Sequence, residues 1–148
     1  IIVQNIKFLL ESKNYNSYFI KFGNTVYSRN FHKSSNLFDK KTTNAIKQVG
    51  ITIRKLDSYS YLVNSNDKIR TYNINLKTNQ ISLNNDFFVI VASDSPVNNS
   101  ILSNTLNLVD YTIFSENLYE MGIPILIIFK DNGNYIFKHS KSFEDFLE

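Results

Sequence analysis

The chain has 148 residues, a formal net charge of +3, 43% hydrophobic and 20% charged side chains; this is a globular balance at the length of one domain. It contains no Cys, which excludes disulfides, zinc–thiolate sites, iron–sulfur ligation and thiol nucleophiles. Two histidines, His32 and His139, are too few for a multi-histidine metal centre, and the mild positive charge permits a polyanionic partner without demanding one.

Ile2, Ile6, Leu9 and Leu10 recur at helical spacing with Val3 beside them, which predicts an amphipathic helix over Ile2–Ser12. A polar break at residues 14–17 leads into Tyr18–Phe22, alternating and rich in aromatics, hence a strand. Gly23 and Asn24 turn the chain toward a second short strand at 25–28. Residues 30–40 read as a polar loop and 41–49 as a short helix ended by Gly50, which accepts the left-handed C′ conformation. A strand at 51–54 follows. The alternating stretches 59–63 and 69–76, then 81–83, read as a small antiparallel meander.

From Asp86 the character changes. Residues 87–92 and 123–129 are continuous apolar runs, as expected of strands buried on both faces. Between them Ile101, Leu102, Thr105, Leu106 and Val109 lie at helical spacing, and 115–121 forms a second short helix ended by Gly122. A tight turn at 131–134, a strand at 135–138 and a terminal helix marked by Phe143, Phe146 and Leu147 complete the chain. Strand–helix–strand with two buried strands predicts a parallel crossover. The expected fold is therefore α/β over residues 1–148: a Rossmann-like, mostly parallel sheet flanked by helices, with an antiparallel insertion at 57–84. Neither apolar run approaches the roughly 18 residues that cross a bilayer, so no membrane span is expected.

The chain begins at Ile1 and not Met, which suggests a fragment or an unusual start codon. It is rich in Asn, Ile, Lys, Phe and Tyr, and its only alanines are Ala45 and Ala92. Those choices imply an AT-rich gene, and the expected source is an organelle genome.

In open α/β sheets ligands bind at the carboxyl ends of strands, which singles out Ser93, Asp94 and Ser95 as candidate anion-binding residues before a helix N-terminus. The segment lacks the glycines that bring a phosphate to the backbone, and Asp94 repels one; a helix cap beside Pro96 is the alternative. Asp110 and Asp131 carry no partner at a recognisable spacing, and Asp131 sits in a turn sequence. No Ser-His-Asp arrangement, phosphate-binding loop or metal-ligand spacing is present. No catalytic residue, metal or cofactor is therefore expected. Lys40 with Lys41, Arg54 with Lys55, and Lys68 with Arg70 are small clusters suited to a solvated face. The aromatic side chains read as core, with an RNA-stacking platform as the alternative.

Three patches in order resemble one family. They are YLVNS at 61–65, the strand–turn–helix run at 86–107, and NYIFKHSK at 134–141, with the opening IKFLLES in support. Together they resemble the C-terminal molybdopterin-oxidoreductase-like domain of the large iron–sulfur subunit of respiratory complex I. Ala92 stands where the family has Gly, the turn after it carries one extra residue, and Val97 replaces an Arg. The resemblance implies a cofactor-free structural domain on the mitochondrial matrix side. Its partners would be other subunits of a large complex, among them a separate iron–sulfur chain. The alternative is an organellar small-subunit ribosomal protein contacting rRNA, which residues 118–133 resemble. A free-standing nucleotide-binding enzyme is the third reading.

Overall fold

The computed structural model describes residues 1–23, 25–31, 38–53, 60–64, 72–75, 80–83, 87–108 and 114–148. His32, Asp110, the Arg54–Lys55 pair and the Lys68/Arg70 pair lie outside them. The elements run α1 (Ile2–Ser12), β1 (Tyr18–Phe22), β2 (Thr25–Arg29), α2 (Lys40–Gln48), β3 (Ser60–Asn64), β4 (Tyr72–Asn75), β5 (Gln80–Leu83), β6 (Phe87–Ser93), α3 (Pro96–Leu108), β7 (Ile125–Asp131) and β8 (Asn134–His139), then a 3-10 helix at Lys141–Phe146.

Among the described residues six strands form one sheet in the order β1-β2-β3-β6-β7-β8, and β4 pairs with β5 in a second, two-stranded sheet. Every described ladder is antiparallel. The class is mixed α/β, but the expected Rossmann-like parallel sheet is not what forms. The two apolar runs do lie side by side, with Val89 opposite Ile127 and Val91 opposite Ile125. They run antiparallel and not parallel, because α3 is only the outward leg of the connection. The chain comes back to the end of β6 from which it left, and Ala92 N–H donates to the Pro124 carbonyl at 3.0 Å. A run that is apolar throughout reports layers on both faces and says nothing of direction. The expected insertion also divides differently: β3 is an inner strand between β2 and β6, and only β4 and β5 stand apart. Of the strand expected at 51–54, residues 51–53 are described, and there Ile53 makes a single bridge to Leu147. The helix expected at 115–121 is a series of turns after Phe114.

Alternation along β6 and β7 feeds two cores. Phe88, Ile90, Ala92, Leu126 and Ile128 meet Ala45 and Ile46 of α2 and Phe143. Phe87, Val89, Val91, Ile125 and Ile127 meet Leu106 of α3 with Phe114 and Leu118. The register carries Thr25 through Val63 to Val91. Facing residues of an antiparallel ladder share a side, so Thr25 and Tyr27 lie on the α3 side of the sheet. There α1 covers Tyr18, Ile20 and Tyr27 with Val3 and Leu10. Helices α1 and α3 are therefore neighbours on one face.

Local chemistry sets the element limits. The Thr42 N–H donates to the Asp39 carboxylate at 2.8 Å, capping α2. At its other end Gly50 takes φ +72°, with Gly50 N–H on the Lys47 carbonyl and Ile51 N–H on that of Ile46; this is the paired closure a left-handed C′ residue permits. Asn132 (φ 49°) and Gly133 (φ 84°) form the two-residue turn between β7 and β8. Positive φ at both central positions matches the twist of the flanking strands.

Candidate functional site

The residues singled out after β6 fold inward on themselves. Ser95 precedes Pro96, the first residue of α3, and its hydroxyl accepts from the Asn98 N–H at 3.3 Å. Its own N–H donates to Ser93 Oγ at 3.1 Å. The Ser93 hydroxyl donates to Oδ1 of Asn99, a residue buried within the helix packing. Asp94 is exposed. The polar atoms of this turn thus end the strand and start the helix.

Beside that helix start lies a hollow of about 440 Å³, within the roughly 300–1,000 Å³ range of small-molecule sites. Three separate parts of the chain build it. The first residues of α1 form one wall and the end of the β1–β2 hairpin, with Phe22 and Thr25, a second. The first two turns of α3, with Pro96, Val97, Ser100 and Ile101, form the third. Among the described residues no charged side chain lines it, and the hydroxyls of Thr25 and Ser100 are its polar side-chain groups. Such a lining suits a largely apolar ligand with a few hydrogen-bonding groups.

Sequence reasoning missed the hollow because residues from three distant stretches meet there. The apolar stripe of α1 is the one signal in the sequence. Ile2, Ile6 and Leu9 look like the buried stripe of α1, yet all three are exposed. The helix is rolled so that Val3 and Leu10 face the sheet.

The remaining candidates lie apart from the hollow. His139 ends β8, its Nδ1 is 2.9 Å from the Ser140 carbonyl oxygen, and its ring stacks on Phe137 with centroids 6.1 Å apart. Asp131 ends β7 opposite Asn134 at the hairpin turn. Lys40 and Lys41 open α2, and Lys41 Nζ sits 5.6 Å from the centre of the Phe88 ring. Among the described residues no cluster of His, Asp or Glu is placed to hold a metal ion. Nor is any described helix long and apolar enough to cross a membrane.

This architecture is one seen in flavin transferases. The chain is similar to the solved flavin transferase ApbE from Vibrio cholerae, with a TM-score of 0.65 at 17% identity over 97% of this chain and 48% of that one. It is equally similar to the flavinyl transferase ApbE of Pseudomonas stutzeri in its apo form, with a TM-score of 0.65 at 13% identity over 97% and 47%. The chain thus spans about half the length of each. No family model matches it, and no curated protein does either.

The likeness overturns both functional expectations drawn from the sequence. The chain does not follow the complex I subunit domain, and the ribosomal alternative falls on the same finding; the expected place in the respiratory chain falls as well. The patches that carried the first resemblance are separate local pieces of this fold. Tyr61–Asn64 is part of β3, 87–107 is a strand, a capped turn and a helix, and 134–141 begins with the second strand of an Asn-Gly hairpin.

Proposed function

We propose that this chain is the flavin-binding half of a transferase-type protein, and that the hollow between α1, the β1–β2 hairpin and α3 receives the flavin ring system. The observation that carries this reading is the fold likeness over 97% of the chain to flavin transferases of about twice its length. The lining supports it. Pro96, Val97 and Ile101 offer aliphatic surface to the faces of a tricyclic ring, and the Thr25 and Ser100 hydroxyls can bond its polar edge. The chain's contribution is to bind the ring, orient it and exclude water from one side. No group-transfer step is assigned to its residues.

The test is titration of the chain with FMN and with FAD, followed by flavin fluorescence and visible absorbance. Saturable quenching with a shifted absorption band is expected, and Val97→Asp should weaken binding by about tenfold or more, equivalent to 1.4 kcal/mol. If neither nucleotide's spectrum changes, the reading is wrong.

A further inference from the structure

We propose that Asn132 is a site of spontaneous deamidation, and that its conversion to isoaspartate releases β8 from the sheet. Three asparagines take a left-handed φ: Asn14 (59°), Asn30 (47°) and Asn132 (49°). All three are exposed. What separates them is the residue that follows: Tyr15, Phe31 and Gly133 respectively. Deamidation begins when the next backbone nitrogen attacks the side-chain amide carbon, and a bulky side chain on that next residue shields the nitrogen. Glycine has no side chain to do so. The Tyr15 N–H is also held by the Leu10 carbonyl at 3.0 Å. The Gly133 N–H belongs to the turn and not to the ladder, which closes at Asp131 opposite Asn134. Throughout the sequence, Asn132 is the one asparagine that precedes a glycine.

The chemistry needs only water. The Gly133 nitrogen forms a bond to Cγ of Asn132, and the side-chain nitrogen leaves as ammonia, taking the Gly133 amide proton. Nothing is oxidised or reduced. Water then opens the resulting cyclic imide at one of its two carbonyls. Opening at the side-chain carbonyl gives aspartate. Opening at the backbone carbonyl gives isoaspartate, in which the main chain runs through the former side chain and is one carbon longer.

The fold makes that extra carbon matter. In the left-handed conformation the following nitrogen points away from the residue's own Cβ, so the closed turn holds attacker and target apart. Reaction proceeds through local opening of the hairpin, a motion that end strands permit at low cost. It then blocks the way back. The two-residue turn depends on positive φ at both Asn132 and Gly133, and a lengthened main chain cannot repeat it. The β8 strand brings Tyr135 and Phe137 to the core beneath α2, so loosening the turn loosens that layer. The new carboxylate also stands beside Asp131, a like charge.

Peptide mapping by mass spectrometry, after prolonged incubation of the whole chain in warm neutral buffer, tests the proposal. Conversion at Asn132 should outpace that at Asn14 and Asn30 by about tenfold or more, equivalent to 1.36 kcal/mol in barrier. It should accelerate in urea, where the turn is open. The isoaspartyl form, separated by anion exchange, should unfold at lower urea than the unconverted chain. It should also unfold at lower urea than Asn132→Asp, which changes the charge without lengthening the main chain. Conversion at Asn14 or Asn30 that keeps pace with Asn132 overturns the proposal. So does an Asn132 that stays intact in the folded chain, or an isoaspartyl form as stable as its parent.

Discussion

Ser140 and Ile125 hold each other through both kinds of contact. Ser140 N–H donates to the Ile125 carbonyl at 2.9 Å, and Ile125 N–H donates to the Ser140 hydroxyl, also at 2.9 Å. The same hydroxyl donates to the Ile123 carbonyl at 2.8 Å, and both residues are fully buried. A side chain therefore extends the β7–β8 ladder by one position. Ser140→Ala leaves the buried Ile125 N–H without its acceptor, and should cost about 1–3 kcal/mol. Urea unfolding monitored by circular dichroism measures it; an unchanged midpoint would show that water substitutes freely there.

Ile90 and Ile127 belong to opposite faces of the sheet and are both fully buried. Truncation of either to Ala should cost about 2–5 kcal/mol, the transfer loss plus a residual cavity. Comparable losses at the two positions are expected, because helices or loops cover each face. A loss under about 1 kcal/mol at one of them would place solvent on that side.

Tyr119 sits beside Glu144, its hydroxyl donating to Oε1 at 3.2 Å. The Glu144 charge, then this hydrogen bond, hold the phenol above its ordinary value of 10.0, with small additions from burial and Glu120. A folded-state value above the unfolded one stabilises fully below the unfolded pKa, and the contribution disappears as pH rises through the folded one. Glu144→Gln should therefore move one tyrosine toward its ordinary titration. The difference in phenolate absorbance between wild type and Tyr119→Phe isolates that residue. An identical alkaline titration in Glu144→Gln would refute the pairing.

Much of the fold was legible because its signals are local. The limits of α1 and β1 follow from spacing and alternation, the end of α2 from Gly50, and the last hairpin from Asn132–Gly133. The direction of β7 was not legible, since it depends on where residues 94–124 return the chain. The outward roll of α1 was hidden for a similar reason: Ile2, Ile6 and Leu9 mark an apolar stripe, and the stripe alone does not tell the sheet from another surface. The hollow needs Phe22, Thr25 and Val97 brought together, a juxtaposition that only the closed sheet creates.

The strand order also ranks how quickly parts of the sheet can assemble. The outermost pairs, β1 with β2 and β7 with β8, are joined by residues 23–24 and 132–133, and tight hairpins close in about 1–10 μs. The inner ladders, β2 with β3, β3 with β6 and β6 with β7, each require a long loop to close first. The most deeply enclosed strand is therefore the one whose pairing comes late. Until then its unbroken row from Phe87 to Ala92 remains open to neighbouring chains, and crowding during synthesis is the hazard this topology carries.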